Sequence, residues 1–189
     1  LTTDGSLILY TWNDAEGKKA FWHSTSHVMA QVLEEMFPGI QLTLGPAIAN
    51  GFYYDVDFGD QKITEADFKA IESRILEISK EKHEFKMRAV TKAEALETYK
   101  DNVYKTELIS NLEDGTITFC DHATFTDLCR GGHIPNTSII KAVKIMSVAG
   151  AYWRGDEKNK QLTRVYGTSF PKQKDLTEYL ELLEEAKRR

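Results

Sequence analysis

The sequence predicts an α+β fold, an antiparallel sheet with helices packed around it. Strand-like runs mostly follow one another through turns, and helical patterns are interposed irregularly instead of alternating one for one as βαβ units would. The chain has 189 residues, 41% of them apolar and 28% charged, which is enough for one substantial core and is the ordinary balance of a globular domain. No internal repeat and no low-complexity tract interrupts it.

Leu7 to Trp12 reads as a strand, and the polar "NDAEGKK" as a turn leading to the first histidine. From Ser24 to Phe37 the residues Val28, Met29, Val32, Leu33 and Met36 recur at helical spacing until Pro38–Gly39 stops the helix. His23 and His27 then sit one turn apart at its N-terminal end. "QLTLGPAI" and "GFYYDVDF" form a hairpin pattern, and adjacent Tyr53 and Tyr54 must face opposite sides of the second strand.

Thr64 with Asp67 resembles a capping box opening a helix whose stripe is Phe68, Ile71, Ile75 and Ile78. "EFKMRAV" follows as a strand, Thr91 with Glu94 caps a second helix to about Lys100, and a short third helix covers Val103 to Leu112. Strands are predicted at Thr116 to Cys120, Ala123 to Leu128, Val143 to Ala149 and in "LTRVYG". A charged amphipathic helix from Lys174 to Arg189 comes last.

No apolar run approaches bilayer length, so neither secretion nor membrane insertion is expected, and no membrane partner. Cys120 and Cys129 are too few for a disulfide framework and fit reduced thiols in a cytoplasmic protein. The net charge of −5 excludes a surface that binds nucleic acid throughout. Between Ile139 and Lys174, however, eight basic residues (Lys141, Lys144, Arg154, Lys158, Lys160, Arg164, Lys172, Lys174) face only Asp156 and Glu157. On charge alone a solvated lysine-rich face explains this stretch better than a phosphate-binding flank.

"HSTSH", His23 to His27, and "CRGGH", Cys129 to His133, carry two pairs of metal-ligating groups at the same spacing. Two histidines four apart on a helix are, alone, more often one exposed and one packed imidazole. A thiol and an imidazole framing two glycines at a strand end are poor core material and good site material. Together the four offer the N and S donors a tetrahedral Zn²⁺ prefers, or, without metal, a polar pocket. Asp127, two residues before Cys129, is a candidate to accept a histidine N–H or to hold a cationic substrate group. Lys105 reads, by itself, as a solvated helix residue.

In this order and spacing, "HSTSH", "LGPAIANGFYYDVD", "DLCRGGH" and "AGAYWRGDEKNKQLTRVYGTSF" resemble the editing domain of bacterial-type threonyl-tRNA synthetase. The two ligand pairs are also similar to alanyl-type editing domains; the "GFYYDVD" and "AGAYWRGD" stretches are specific to the threonyl branch. The resemblance implies residues 1–20 as the end of a preceding ubiquitin-like domain and linker, 21–173 as the editing domain, and 174–189 as a linker helix toward a catalytic core. With no class II active-site motif in it, the chain is not expected to charge threonine.

The implied activity is hydrolysis of the ester of mischarged seryl-tRNA(Thr). It has a physical motive, because a missing methyl group is worth only about 1–3 kcal/mol and a threonine site cannot reject serine strongly. The resemblance implies His23, His27, Lys105, Cys129 and His133 as catalytic, with Lys105 and His23 handling water, and Tyr54 and Asp127 as substrate-binding. It implies tRNA (the 3′ aminoacyl end and acceptor stem) and the rest of the synthetase as partners. It also implies no obligatory cofactor, although zinc at His23, His27, Cys129 and His133 stays open. Gly132 stands where some relatives have proline. Two other readings compete: a zinc-stabilised RNA-binding module without chemistry, and a free-standing alanyl-type trans-editing deacylase.

Overall fold

In the computed structural model, which describes residues 5–189, two antiparallel sheets share one chain. The elements are α1 (Ala15–Met36), β1 (Gln41–Leu42), β2 (Ala47–Ile48), β3 (Gly51–Asp57), α2 (Phe68–Lys80), β4 (Lys86–Ala89), α3 (Lys92–Thr98) and α4 (Val103–Ser110). They continue with β5 (Thr118–His122), β6 (Phe125–Leu128), β7 (Ala142–Tyr152), β8 (Gln161–Phe170) and α5 (Gln173–Lys187). The larger sheet runs β1-β3-β8-β7, with β2 also paired to β3; the smaller runs β4-β5-β6. Every pairing is antiparallel, as the α+β expectation requires.

Two expectations about the first 40 residues fail. Leu7 to Thr11 form no strand: Leu7, Ile8, Leu9 and Tyr10 are exposed without a pairing partner among the described residues, and the first four residues of the 1–20 segment lie outside those. Of "NDAEGKK" only Asn13 and Asp14 turn, because α1 begins at Ala15. Ala, Glu and Lys are strong helix formers, and their polarity reflects a solvated first turn. His23 and His27 therefore lie in the middle of a 22-residue helix.

From Phe21 to Leu33 the helix is buried on every side. Its apolar positions join Phe52, Val56, Ile145 and Val165 of the large sheet and Ile71, Ile75 and Ile78 of α2 in the main core. The stripe on α2 is the one its periodicity predicts, and the Thr64–Asp67 capping box is present at its entry. A smaller core (Val90, Ala95, Ile109, Ile117, Phe119) holds α3 and α4 on the small sheet. Tyr54 is buried and Tyr53 stands on the other face of β3, packed edge-to-face against Tyr166 with ring centroids 5.8 Å apart.

Ile75 is fully buried between α1 and the sheet, so Ile75→Ala removes apolar contact and leaves a cavity. Urea unfolding should show a loss of about 2–5 kcal/mol; a loss below 1 kcal/mol would mean that α2 is not fixed by this stripe.

Candidate functional site

The polar residues between the two histidines of "HSTSH" are buried and do structural work. Ser26 donates from Oγ to the Gly45 carbonyl at 2.7 Å, Thr25 shares a hydrogen bond with Ser169 Oγ at 2.8 Å, and Ser24 Oγ accepts the Ile134 N–H at 2.9 Å. These three bonds tie α1 to the loop before β2, to β8, and to the segment that follows His133. A buried hydroxyl without a partner would destabilise the helix, and each of these has one.

The second pair is set by the end of β6. The Cys129 N–H donates to the Thr118 carbonyl at 3.2 Å, extending the ladder one residue, and the chain then turns through Gly131 (φ 111°) and Gly132 (φ 82°). Those left-handed conformations favour glycine and aim Cys129 and His133 back toward α1. The Gly131 N–H donates to Cys129 Sγ at 3.2 Å, and His133 stacks on Phe85 with ring centroids 5.3 Å apart.

The four donor atoms converge within 4.8 Å of one another. His27 Nε2 lies 3.1 Å from His23 Nε2, His23 Nε2 lies 3.2 Å from Cys129 Sγ, and Cys129 Sγ lies 3.5 Å from His133 Nε2. His23, His27 and Cys129 line a cleft of about 760 Å³ that Tyr54, Lys105 and Asp127 also line.

Behind the histidines is a buried charged network. Asp127, 2% exposed, accepts from the Lys105 ammonium and from the Leu128 N–H through Oδ1, and from the Tyr54 hydroxyl through Oδ2 at 2.7 Å. His27 Nδ1 lies 3.1 Å from the same Oδ2, at an angle outside hydrogen-bond alignment, so that contact is one of charge. Lys105, also 2% exposed, further donates to the Tyr54 hydroxyl at 3.2 Å. Two of its three ammonium protons are thus engaged, and one remains. Asp127 thus accepts three hydrogen bonds and organises the side chains around it.

These contacts separate the protonation states. Burial would raise Asp127, but Lys105 and His27 outweigh it and hold the carboxyl well below the usual range. Burial works against charging His27, yet Asp127 and Cys129 push it up to about 9. His23 is pushed down to about 4 by burial and by His27, and His133 to about 2 by burial and by both neighbouring imidazoles. Burial and Asp127 raise Tyr54 well above its usual value, so it remains a donor. At neutral pH a cationic His27 stands between an anionic Asp127 and a neutral His23.

Three imidazoles and one thiol at this separation fit a tetrahedral zinc ion, with Asp127 beside the remote nitrogen of His27 as the outer carboxylate often found at such sites.

Lys105, which reads as solvated from its own surroundings in sequence, is among the most buried residues because Asn102 caps α4 and turns Lys105 inward; the Asn102 side chain accepts from its N–H at 3.0 Å. The basic stretch is partly neutralised: Arg164 is bound by Asp55, Arg154 lies 3.5 Å from Glu107, and Lys144 lies 3.7 Å from Glu72. Gly45 and Glu107 were not legible as site residues. A Cβ on Gly45 would stand 2.1 Å from the Tyr54 ring, and Glu107, behind the cleft, accepts from the indole N–H of Trp153, which lines it. No sequence spacing signals either one.

Residues 117–166 match the family described as the threonyl and alanyl tRNA synthetase second additional domain. Over its whole length the chain is similar to threonine–tRNA ligases: 91% identical over 189 residues to that of Flavobacterium johnsoniae, and 60% over 191 residues to that of Parabacteroides distasonis. The protein of Cytophaga hutchinsonii is 54% identical over 191 residues. The chain spans 29–30% of the length of these curated relatives. Among the described residues no helix is long and apolar enough to cross a membrane.

The pKa directions carry a stability prediction. His122 is pushed down to about 3 by burial and by the charge of His27, while its Nε2 pairs with Gln31 Oε1 at 2.9 Å. A histidine depressed in the fold contributes stability above its unfolded value near 6.5 and loses it as pH falls toward its folded value. His27, raised in the fold, contributes in the opposite sense, with stability present below 6.5 and lost as pH rises through about 9. His122→Gln should therefore reduce the drop in unfolding free energy between pH 7 and pH 4.5 by roughly 2 kcal/mol. An unchanged drop in denaturant titrations at the two pH values would show that His122 is not held neutral.

Proposed function

We propose, for a chain that belongs to the threonyl-tRNA synthetase family and carries its second additional domain, that the cleft hydrolyses the ester of mischarged seryl-tRNA(Thr). The observation that carries this is the convergence of His23, His27, Cys129 and His133 beside a buried Lys105–Asp127 pair. A cytoplasmic setting and the remainder of the synthetase as cis partner go with the proposal.

The chemistry is attack of water on the seryl carbonyl, cleavage of the bond to the ribose oxygen, and return of a proton to that oxygen. His23 is neutral and stands in the cleft, so it is the group fitted to accept the water proton. As His23 takes up that proton, His27 gives up its own toward the ribose oxygen, so that one positive charge stays on the pair beside Asp127, which is fixed by Tyr54 and Lys105. The remaining ammonium proton of Lys105 and the charge of His27 favour the oxyanion that develops on the carbonyl. Cys129 completes the wall, and His133 packs behind it against His23. Discrimination is steric: the pocket admits the seryl side chain and clashes with the extra methyl of threonine. The basic stretch from Lys141 to Arg164 then faces the acceptor stem.

A zinc ion on the same four groups would act as a Lewis acid toward the carbonyl or water. None of the apolar clusters that hold the fold includes His23, His27, Cys129 or His133. Exhaustive chelation should therefore leave both melting temperature and seryl-tRNA hydrolysis unchanged. Unfolding on chelation would favour the zinc-stabilised RNA-binding module.

Seryl-tRNA(Thr) should be deacylated by the synthetase bearing this segment and threonyl-tRNA(Thr) spared. His23→Ala and Lys105→Ala should each slow seryl hydrolysis by about 10²–10³-fold, the usual effect of losing one such donor. Lys105→Ala should also lower the melting temperature, because it leaves Asp127 buried and less compensated. Equal hydrolysis of both esters, or full activity in the double variant, would defeat the proposal.

A further inference from the structure

Resting on the hydrolytic reading above, the geometry points to Arg130 as a phosphate-binding residue that grips the phosphodiester on the 5′ side of the terminal nucleoside. Four other arginines before the C-terminal helix have a carboxylate within 4.0 Å: Arg74 with Glu35, Arg88 with Asp121, Arg154 with Glu107 and Arg164 with Asp55. Arg130 has none among the described residues, although it lines the same cleft as Arg154 and Arg164 and is exposed. An unpaired guanidinium on a cleft wall is a ready bidentate site for phosphate.

Its attachment is rigid at both ends. Cys129 is joined to the small sheet through its N–H, Gly131 is bound to Cys129 Sγ, and the Ile134 N–H is held by Ser24 of α1. The guanidinium therefore samples a sphere anchored one residue from the thiol of the cluster. The cleft is also far larger than a seryl group needs; about 760 Å³ suits a ligand of nucleotide size or more. In a chain of net charge −5, with the cluster itself committed to internal partners, the anion that accompanies such a ligand requires a dedicated cation.

The test compares two synthetic esters, 3′-O-seryl-adenosine and its 5′-monophosphate, with the chain and with Arg130→Ala and Arg130→Lys. The unsubstituted chain should show a KM about 10–100-fold lower for the phosphorylated ester, the range of one charge-assisted contact. Arg130→Ala should erase that preference while keeping its kcat and its rate on the unphosphorylated ester, and Arg130→Lys should restore part of it. The slope of log KM against log salt for seryl-tRNA should fall by about one in Arg130→Ala. A preference retained in Arg130→Ala, an equal loss on both esters, or no preference in the unsubstituted chain would each overturn the assignment. Hydrolysis of neither ester nor of seryl-tRNA by the unsubstituted chain would instead overturn the hydrolytic reading itself.

Discussion

The buried pair of Lys105 and Asp127 is the interaction on which the rest of the site depends. Taking two charges out of water is expensive, and a buried pair is tolerated only when further hydrogen bonds satisfy what remains. Here the carboxylate receives Lys105 from α4, Tyr54 from β3, its own strand's Leu128 N–H, and the charge of His27 from α1. Four elements that are distant in sequence meet at one side chain. Loss of Asp127 would bury the Lys105 ammonium without a counter-charge and remove what keeps His27 charged, whereas loss of either cation leaves the other still compensated.

This network explains why one histidine of the helical pair is charged and the other is not. His27 and His23 occupy successive turns of α1, but only His27 has the carboxylate at its back. Burial makes a second positive charge beside it unfavourable, so His23 and His133 stay neutral. The distinction comes from position relative to Asp127 and not from the residue type.

Much of the fold could be read from periodicity. The α2 stripe and its capping box, the Thr91 cap, and the alternation of Tyr53 and Tyr54 all emerge because local pattern and tertiary environment agree. The first turns of α1 were illegible because a solvated helical turn and a polar loop share a composition. Leu7 to Trp12 has strand propensity but no strand to pair with among the described residues, and propensity alone does not make a sheet. Equal spacing in "HSTSH" and "CRGGH" marked the cluster, since backbone geometry converts a four-residue interval into nearby side chains on a helix and, with two left-handed glycines, in a loop. Lys105 could not be found that way. Its burial arises from where α4 docks, which only the assembled cores determine; similarity to a known family was the sole signal. Gly45 and Glu107 had no signal at all.

The cluster spans a seam. His23 and His27 ride on a helix embedded in the core of the large sheet, while Cys129 and His133 extend from the last strand of the small one, whose Phe125 also enters that core. Side chains of one site that are mounted on two sheets depend on how those sheets are seated, and a displacement near 1 Å is enough to spoil a reacting geometry. Heat or a mild denaturant would thus silence the cleft while both sheets still give a native circular dichroism spectrum, so the onset of inactivation measures the stiffness of the joint and not the stability of the fold.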